Sequence, residues 1–170
     1  MRRLYSSAAV PLFAVVLAAG CAFAPALRPT PPLHIQDVVG EGDGTRRASV
    51  RLVLEGLDAE EAGRSERARG LYQRALQVDS GNPYAYLALA RQSVARGESE
   101  LALEYVARAE DLFDSDGLRT PGVETHLEGL RGAALSLSDT GDRGAELLDR
   151  AATSAPEIWG DGRLDADELR

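Results

Sequence analysis

Apolar and polar positions divide the chain into stretches of different texture. Ala8 to Gly20, "AAVPLFAVVLAAG", is almost continuously apolar and follows Arg2 and Arg3. That is roughly the length of a signal-peptide core and too short to span a membrane. Next come Pro25, Pro29, Pro31 and Pro32, followed by Gly40, Gly42 and Gly44. Such a stretch cannot build a core: its proline half is expected to be extended, at about 3.1 Å per residue, and its glycine half flexible. It reads as a tether over residues 21–48, within which "LHIQDVV" is the part able to dock as a short ordered segment. From about Ser49 the pattern turns to the 3.6-residue spacing of amphipathic helices.

Self-comparison of the helical region reveals a period of 34 residues, the sequence signature of a repeat architecture. Gly63 and Gly97, Ala68 and Ala102, Arg74 and Arg108, and Ala75 and Ala109 stand at that interval, while Gly56 pairs with Ala90 and Leu52 with Tyr86. Small residues at these places let two antiparallel helices approach closely, and larger neighbours fill the space beside them. Their role is therefore structural, not catalytic.

These positions resemble the tetratricopeptide repeat. Leu52, Gly56, Gly63, Ala68, Tyr72 and Ala75 match its first-unit pattern, and Tyr86, Ala90, Gly97, Ala102 and Ala109 its second, with Val106 in place of the aromatic. Ser80 stands where proline is usual, although Pro83 opens the next helix, where proline is well tolerated. A third unit aligns Leu130, Ala134, Gly141, Ala145 and Ala152 if "DSDGLRTPGVE" is an inserted loop. The expectation is an all-α, short tetratricopeptide-type α-solenoid of about three helical hairpins, with units over 49–82, 83–116 and 127–155. The alternative is an Ala-rich helical bundle with chance periodicity.

The resemblance also implies a concave groove, lined by the first helix of each unit, that binds a protein or peptide. Carried across, its positions are Val50, Val53, Leu57 and Glu60, then Tyr84, Leu87, Arg91 and Val94, with Arg131 and Leu135 from the third unit. Of these, Val53, Leu57, Tyr84, Leu87, Arg91, Val94 and Arg131 are the candidate partner-binding residues. The other reading is that Val53, Leu57 and Leu87 pack against the tether or a neighbouring helix.

Composition narrows the function. Acidic residues outnumber basic ones 27 to 19, for a formal charge of −8, which argues against nucleic acid as a partner. The single cysteine excludes an intramolecular disulfide framework, and two scattered histidines leave too few ligands for zinc. That cysteine, Cys21, closes "LAAGC" at the end of the apolar run. The motif resembles the lipobox of bacterial lipoproteins, whose cysteine is acylated and becomes the new N-terminus. Here Ala18 holds the place where that family usually has Leu, and Leu17 lies one earlier. Several acyl chains, at about 0.8 kcal/mol per buried methylene, anchor stably where one does not. Ala22 after the cysteine, in place of Asp, directs such proteins to the outer membrane in enteric bacteria. The competing reading is a soluble secreted protein with an incidental cysteine.

Two features of the remaining sequence bear on chemistry. "EIWGDGRLDADE", Glu157 to Glu168, matches the second half of a calcium loop. Its first half fails, because Trp159 would occupy a ligand position. A capping tail over 156–170, with Trp159 and Leu164 covering the last apolar helix face, is the favoured account. His126, in "VETHLEG", has no nucleophile motif near it. The chain is thus expected to be a lipid-anchored, periplasm-facing scaffold or adaptor lipoprotein of a Gram-negative envelope. No catalysis, cofactor or metal is assigned to it.

Overall fold

The computed structural model describes residues 31–138 and 141–170. The stretch expected to be a signal peptide, Cys21 and the first part of the expected tether lie outside the described residues. Six helices form the body: α1 (Gly44–Glu61), α2 (Ser65–Val78), α3 (Pro83–Ala95), α4 (Ser99–Ser115), α5 (Pro121–Ser136) and α6 (Gly141–Ser154). Two short helices follow, α7 (Pro156–Trp159) and α8 (Ala166–Leu169), and a single 3-10 turn, Ile35–Val38, precedes α1. The described residues contain helices and no strand, so the all-α expectation holds. The body helices pack pairwise as hairpins, α1 on α2, α3 on α4 and α5 on α6, and α1, α3 and α5 adjoin one another in a row. That arrangement is a short α-solenoid.

The small residues do what their spacing predicts. A Cβ on Gly56 would fall 2.2 Å from the Tyr72 ring, so the ring lies directly on the α1 backbone. Ala68, Ala75, Ala102 and Ala109 are fully buried at the hairpin contacts. Gly63 and Gly97 close the first two hairpins at φ 70° and 74°, a backbone state that costs glycine nothing. In the third hairpin the backbones nearly touch, because a Cβ on Gly132 would stand 2.9 Å from the Gly144 carbonyl oxygen.

Two boundaries differ from the sequence expectation. Helix α1 starts at Gly44, ahead of Ser49, because the Asp43 carboxylate caps it by accepting from the Arg46 amide at 2.8 Å. The stretch expected as an inserted loop belongs mostly to helices: α4 continues to Ser115 and α5 opens at Pro121. The Thr120 hydroxyl accepts from the Val123 amide at 3.2 Å, and Pro121 sits in the first turn where its missing N–H costs nothing. The third hairpin therefore begins at Pro121 and not at residue 127.

Polar side chains tie the units together. Asn82 is wholly buried; its amide nitrogen donates to the Ser49 hydroxyl at 2.8 Å, and that hydroxyl donates to the Ala75 carbonyl at 2.7 Å. One short chain of bonds thereby links α1, α2 and the start of α3. Arg46 pairs with Asp79 and, at 3.1 Å, with Asp116, binding α1 to the ends of α2 and α4.

Candidate functional site

The inner face of the row is made by α1, α3 and α5. The structure brings Val53 and Leu57 of α1 together with Tyr84, Leu87 and Arg91 of α3, and it buries all five. Val53, Leu57 and Leu87 have no exposed surface, and Tyr84 and Arg91 retain 4% and 7%. This differs from an open groove, and the cause is two chain segments remote in sequence that lie across the face. Val94 is half-buried at the edge of a cleft. Arg131 is not with the others: its guanidinium pairs at 2.5 Å with Glu110 on α4.

The C-terminal segment crosses the face from α5 to α1. Trp159 rests on Gly129 of α5, where a Cβ would meet the indole at 2.4 Å. Leu164 reaches α3, its carbonyl accepting from Arg91 Nη1 at 3.5 Å. Helix α8 then packs on α1, with Leu169 fully buried and Arg170 paired to Asp58 at 3.0 Å. Trp159 and Leu164 are thus buried in the inner face of the repeats. Asp165 and Glu168, within the half-matching calcium loop, form a capping box on α8; the Glu168 carboxylate accepts from the Asp165 amide at 2.7 Å. Among the described residues no cluster of three His, Cys, Asp or Glu side chains is placed to hold a metal.

The N-terminal segment runs alongside. Gly122 of α5 admits it closely, since a Cβ there would lie 2.7 Å from the Pro31 carbonyl oxygen. Ile35 is completely buried, the 3-10 turn rests on α1, and the Gln36 amide donates to the Arg170 carbonyl at 2.6 Å. The "LHIQDVV" stretch is therefore ordered in this structure.

His126 joins both segments to α5. Its Nδ1 accepts from the Trp159 indole N–H at 3.2 Å, which leaves the proton on Nε2 to donate to the Leu33 carbonyl at 3.2 Å. Burial pushes its pKa down to about 4, against the smaller raising effect of the Leu33 carbonyl. The ring is a neutral clasp.

Beneath the C-terminal segment lies a charged cluster. Glu60 of α1 receives Arg91 Nη2 and the Tyr72 hydroxyl, the latter at 2.7 Å, and Gln92 Nε2 at 3.0 Å. Burial and the Glu60 carboxylate raise the Tyr72 pKa, so the phenol stays protonated as a donor. Tyr84 is likewise pushed up to about 12, chiefly by burial, and packs edge-on to Phe113 with ring centres 5.2 Å apart. Arg91 Nε and Gln92 Oε1 are buried without a hydrogen-bond partner.

The C-terminal segment does not fill the face. A cleft of about 610 Å³ stays open beside it, lined by Val94, Leu130, Leu137, Leu148 and Leu164 with Arg163 at the rim. A smaller one, about 250 Å³, lies on its other flank between Glu60, Arg91 and Asp167. Sequence reasoning placed Glu60 on this face and missed Gln92 and His126 as parts of it. Glu60 and Arg91 had a usable signal, opposite charges on first helices of successive units; His126 had none, because its partners lie at residues 33 and 159.

No protein-family model matches the sequence, and no curated protein does. Among solved structures, the N-terminal domain of stress-induced protein-1 (STI-1) from C. elegans superposes on 75% of this chain and 98% of its own length, with a TM-score of 0.57 at 15% identity. At that identity the likeness is one of fold. The chain has the TPR-like, all-helical fold of a short α-solenoid.

Proposed function

We propose that this protein is a membrane-anchored, periplasm-facing scaffold that binds a protein or peptide partner through the inner face of its repeats, in cell-envelope or pilus assembly. One observation carries the reading. The inner face already accommodates peptide segments, one partly extended and one with short helical turns, which bury apolar anchors and take hydrogen bonds from the repeat side chains. A helical groove that accepts such segments from its own chain has the geometry to accept one from another. The anchor rests on "LAAGC", with Cys21 as the acylated residue, and the non-catalytic role on the absence of any motif that pairs a nucleophile with a base.

The test has two arms. Cys21→Ser should abolish labelling by a palmitate analogue and move the protein from the membrane to the soluble fraction; unchanged fractionation removes the anchor. A photo-crosslinking residue at Val94, in the open cleft, should capture a partner in native membranes, while the same residue at exposed Gln73 on α2 should not. Self-capture alone would favour a soluble, self-associating repeat protein.

A further inference from the structure

We propose that the C-terminal segment, residues 156–170, is a displaceable ligand held in cis, and that the groove's external partner is a peptide with the same pattern: a bulky aromatic anchor followed by leucines five and ten residues on. The inference rests on the groove reading above and adds its regulation and the partner's chemistry.

The segment itself defines the pattern. Trp159, Leu164 and Leu169 turn inward and are buried, whereas Asp161, Arg163, Asp165 and Asp167 face solvent. In order along the chain they meet α5, α3 and α1, as a peptide laid across three repeats would.

Its hold on the groove is limited. Helices α7 and α8 are four residues each, too short to persist without the surface beneath them. The hydrogen bond from Arg91 to the Leu164 carbonyl is long, at 3.5 Å. The ion pairs of Arg170 with Asp58 and Glu61 are between partners 34–50% exposed, where such pairs contribute little. The attachment is therefore mostly apolar burial, supplemented by the indole bond to His126 and by the Gln36 amide bond to the Arg170 carbonyl at 2.6 Å.

The fit is also incomplete, and this is what a competitor exploits. Arg91 Nε, on a side chain that lines the clefts on both flanks of the segment, lacks an acceptor. The cleft beside Leu164 leaves Val94 and Leu148 only partly covered. A peptide of the same pattern, with a side chain larger than leucine at the middle anchor and a backbone able to reach Arg91, buries more surface and satisfies a group that the cis segment leaves unpaired. The cis segment has the advantage of high effective concentration, so such a peptide binds weakly until the segment loosens.

The experiment titrates a fluorescein-labelled peptide of residues 155–170 into the full-length chain and into its Leu169→Asp variant, which weakens the cis segment without altering the groove wall. The expected result is little binding to the native chain and at least tenfold tighter binding to a variant that keeps its helical circular dichroism, with no binding of a scrambled peptide. A helical variant that ignores the peptide overturns the proposal. Should Leu169→Asp unfold the chain, hydrogen exchange of the native protein decides: amides of residues 160–169 should exchange through local opening, faster than those of α3. Exchange of both sets only through global unfolding overturns the proposal. A chain that fails these tests yet still crosslinks a partner at Val94 loses the displaceable segment alone, whereas loss of the Val94 crosslink overturns the groove itself.

Discussion

His126 has both ring nitrogens committed, one accepting from an indole and one donating to a carbonyl, and this arrangement exists only for the neutral ring. Its pKa is about 4 in the fold and about 6.5 unfolded, so between those values the unfolded chain binds the extra proton. Stability from this residue is complete above about pH 6.5 and declines as pH falls toward 4, by at most about 1.4 kcal/mol per unit. His34, half-buried nearby, pushes the same way when charged. Urea unfolding at pH 7.5 and pH 5 should show the loss, and His126→Asn should flatten it; equal slopes would contradict the clasp. Trp159, the chain's one tryptophan, gives a second reading, since its emission should shift red as the segment loosens. Arg91 makes the other residue-scale prediction. Its partner Glu60 is buried with it, so Arg91→Met should cost about 3 to 5 kcal/mol by stranding a carboxylate, and adding Glu60→Gln should recover much of that. Additive losses would mean the pair is not coupled. Substitutions at Tyr84 and Arg91 accordingly report on packing before they report on a partner.

At the scale of helices, what was legible depended on whether the signal was local. The hairpins follow from small residues recurring at a fixed interval, because Gly56, Ala68 and Ala75 sit where helix backbones meet and nothing larger fits. The start of α5 was also written locally, in Thr120 and Pro121, which repeat the cap-then-proline arrangement of Asn82 and Pro83. The repeat register at Leu130 points to an insertion there, whereas the Thr120–Pro121 cap points to a helix start, and the cap is what the fold follows. The covering of the inner face had no local signal. Tyr84 and Arg91 share a helix face with Leu87 whether that face is open or closed, and only segments at residues 31–38 and 156–170 close it. The hairpin contacts make a direct prediction: Ala68→Leu or Gly56→Ala should cost about 1 to 3 kcal/mol in thermal or urea unfolding, whereas Gln73→Ala on exposed α2 surface should change little. Equal effects would undo the helix-pair assignment. Gly129→Ala should act differently, displacing Trp159 while sparing the hairpins, and be visible as a red-shifted emission at nearly unchanged helicity.

The whole molecule is an acidic solenoid with a net charge of −8, two of its own segments in its groove, and a lipobox-like motif upstream of the first of them. The N-terminal segment, which leads back toward Cys21, enters the groove at α5 through Gly122 and meets the end of the C-terminal one where the Gln36 amide bonds the Arg170 carbonyl. The N-terminal segment thus bonds the same His126 that clasps the C-terminal segment. The claim on which the account turns is that the inner face receives a partner peptide. Its most direct measurement is photo-crosslinking at Val94 in native membranes, repeated with excess unlabelled peptide of residues 155–170 in the Leu169→Asp background. The account predicts an adduct to one partner at Val94, suppressed by that peptide and not by a scrambled one, with no adduct at Gln73. An adduct at Gln73 in place of Val94 would contradict it, whereas one at Val94 that the peptide leaves untouched would overturn the displaceable segment alone.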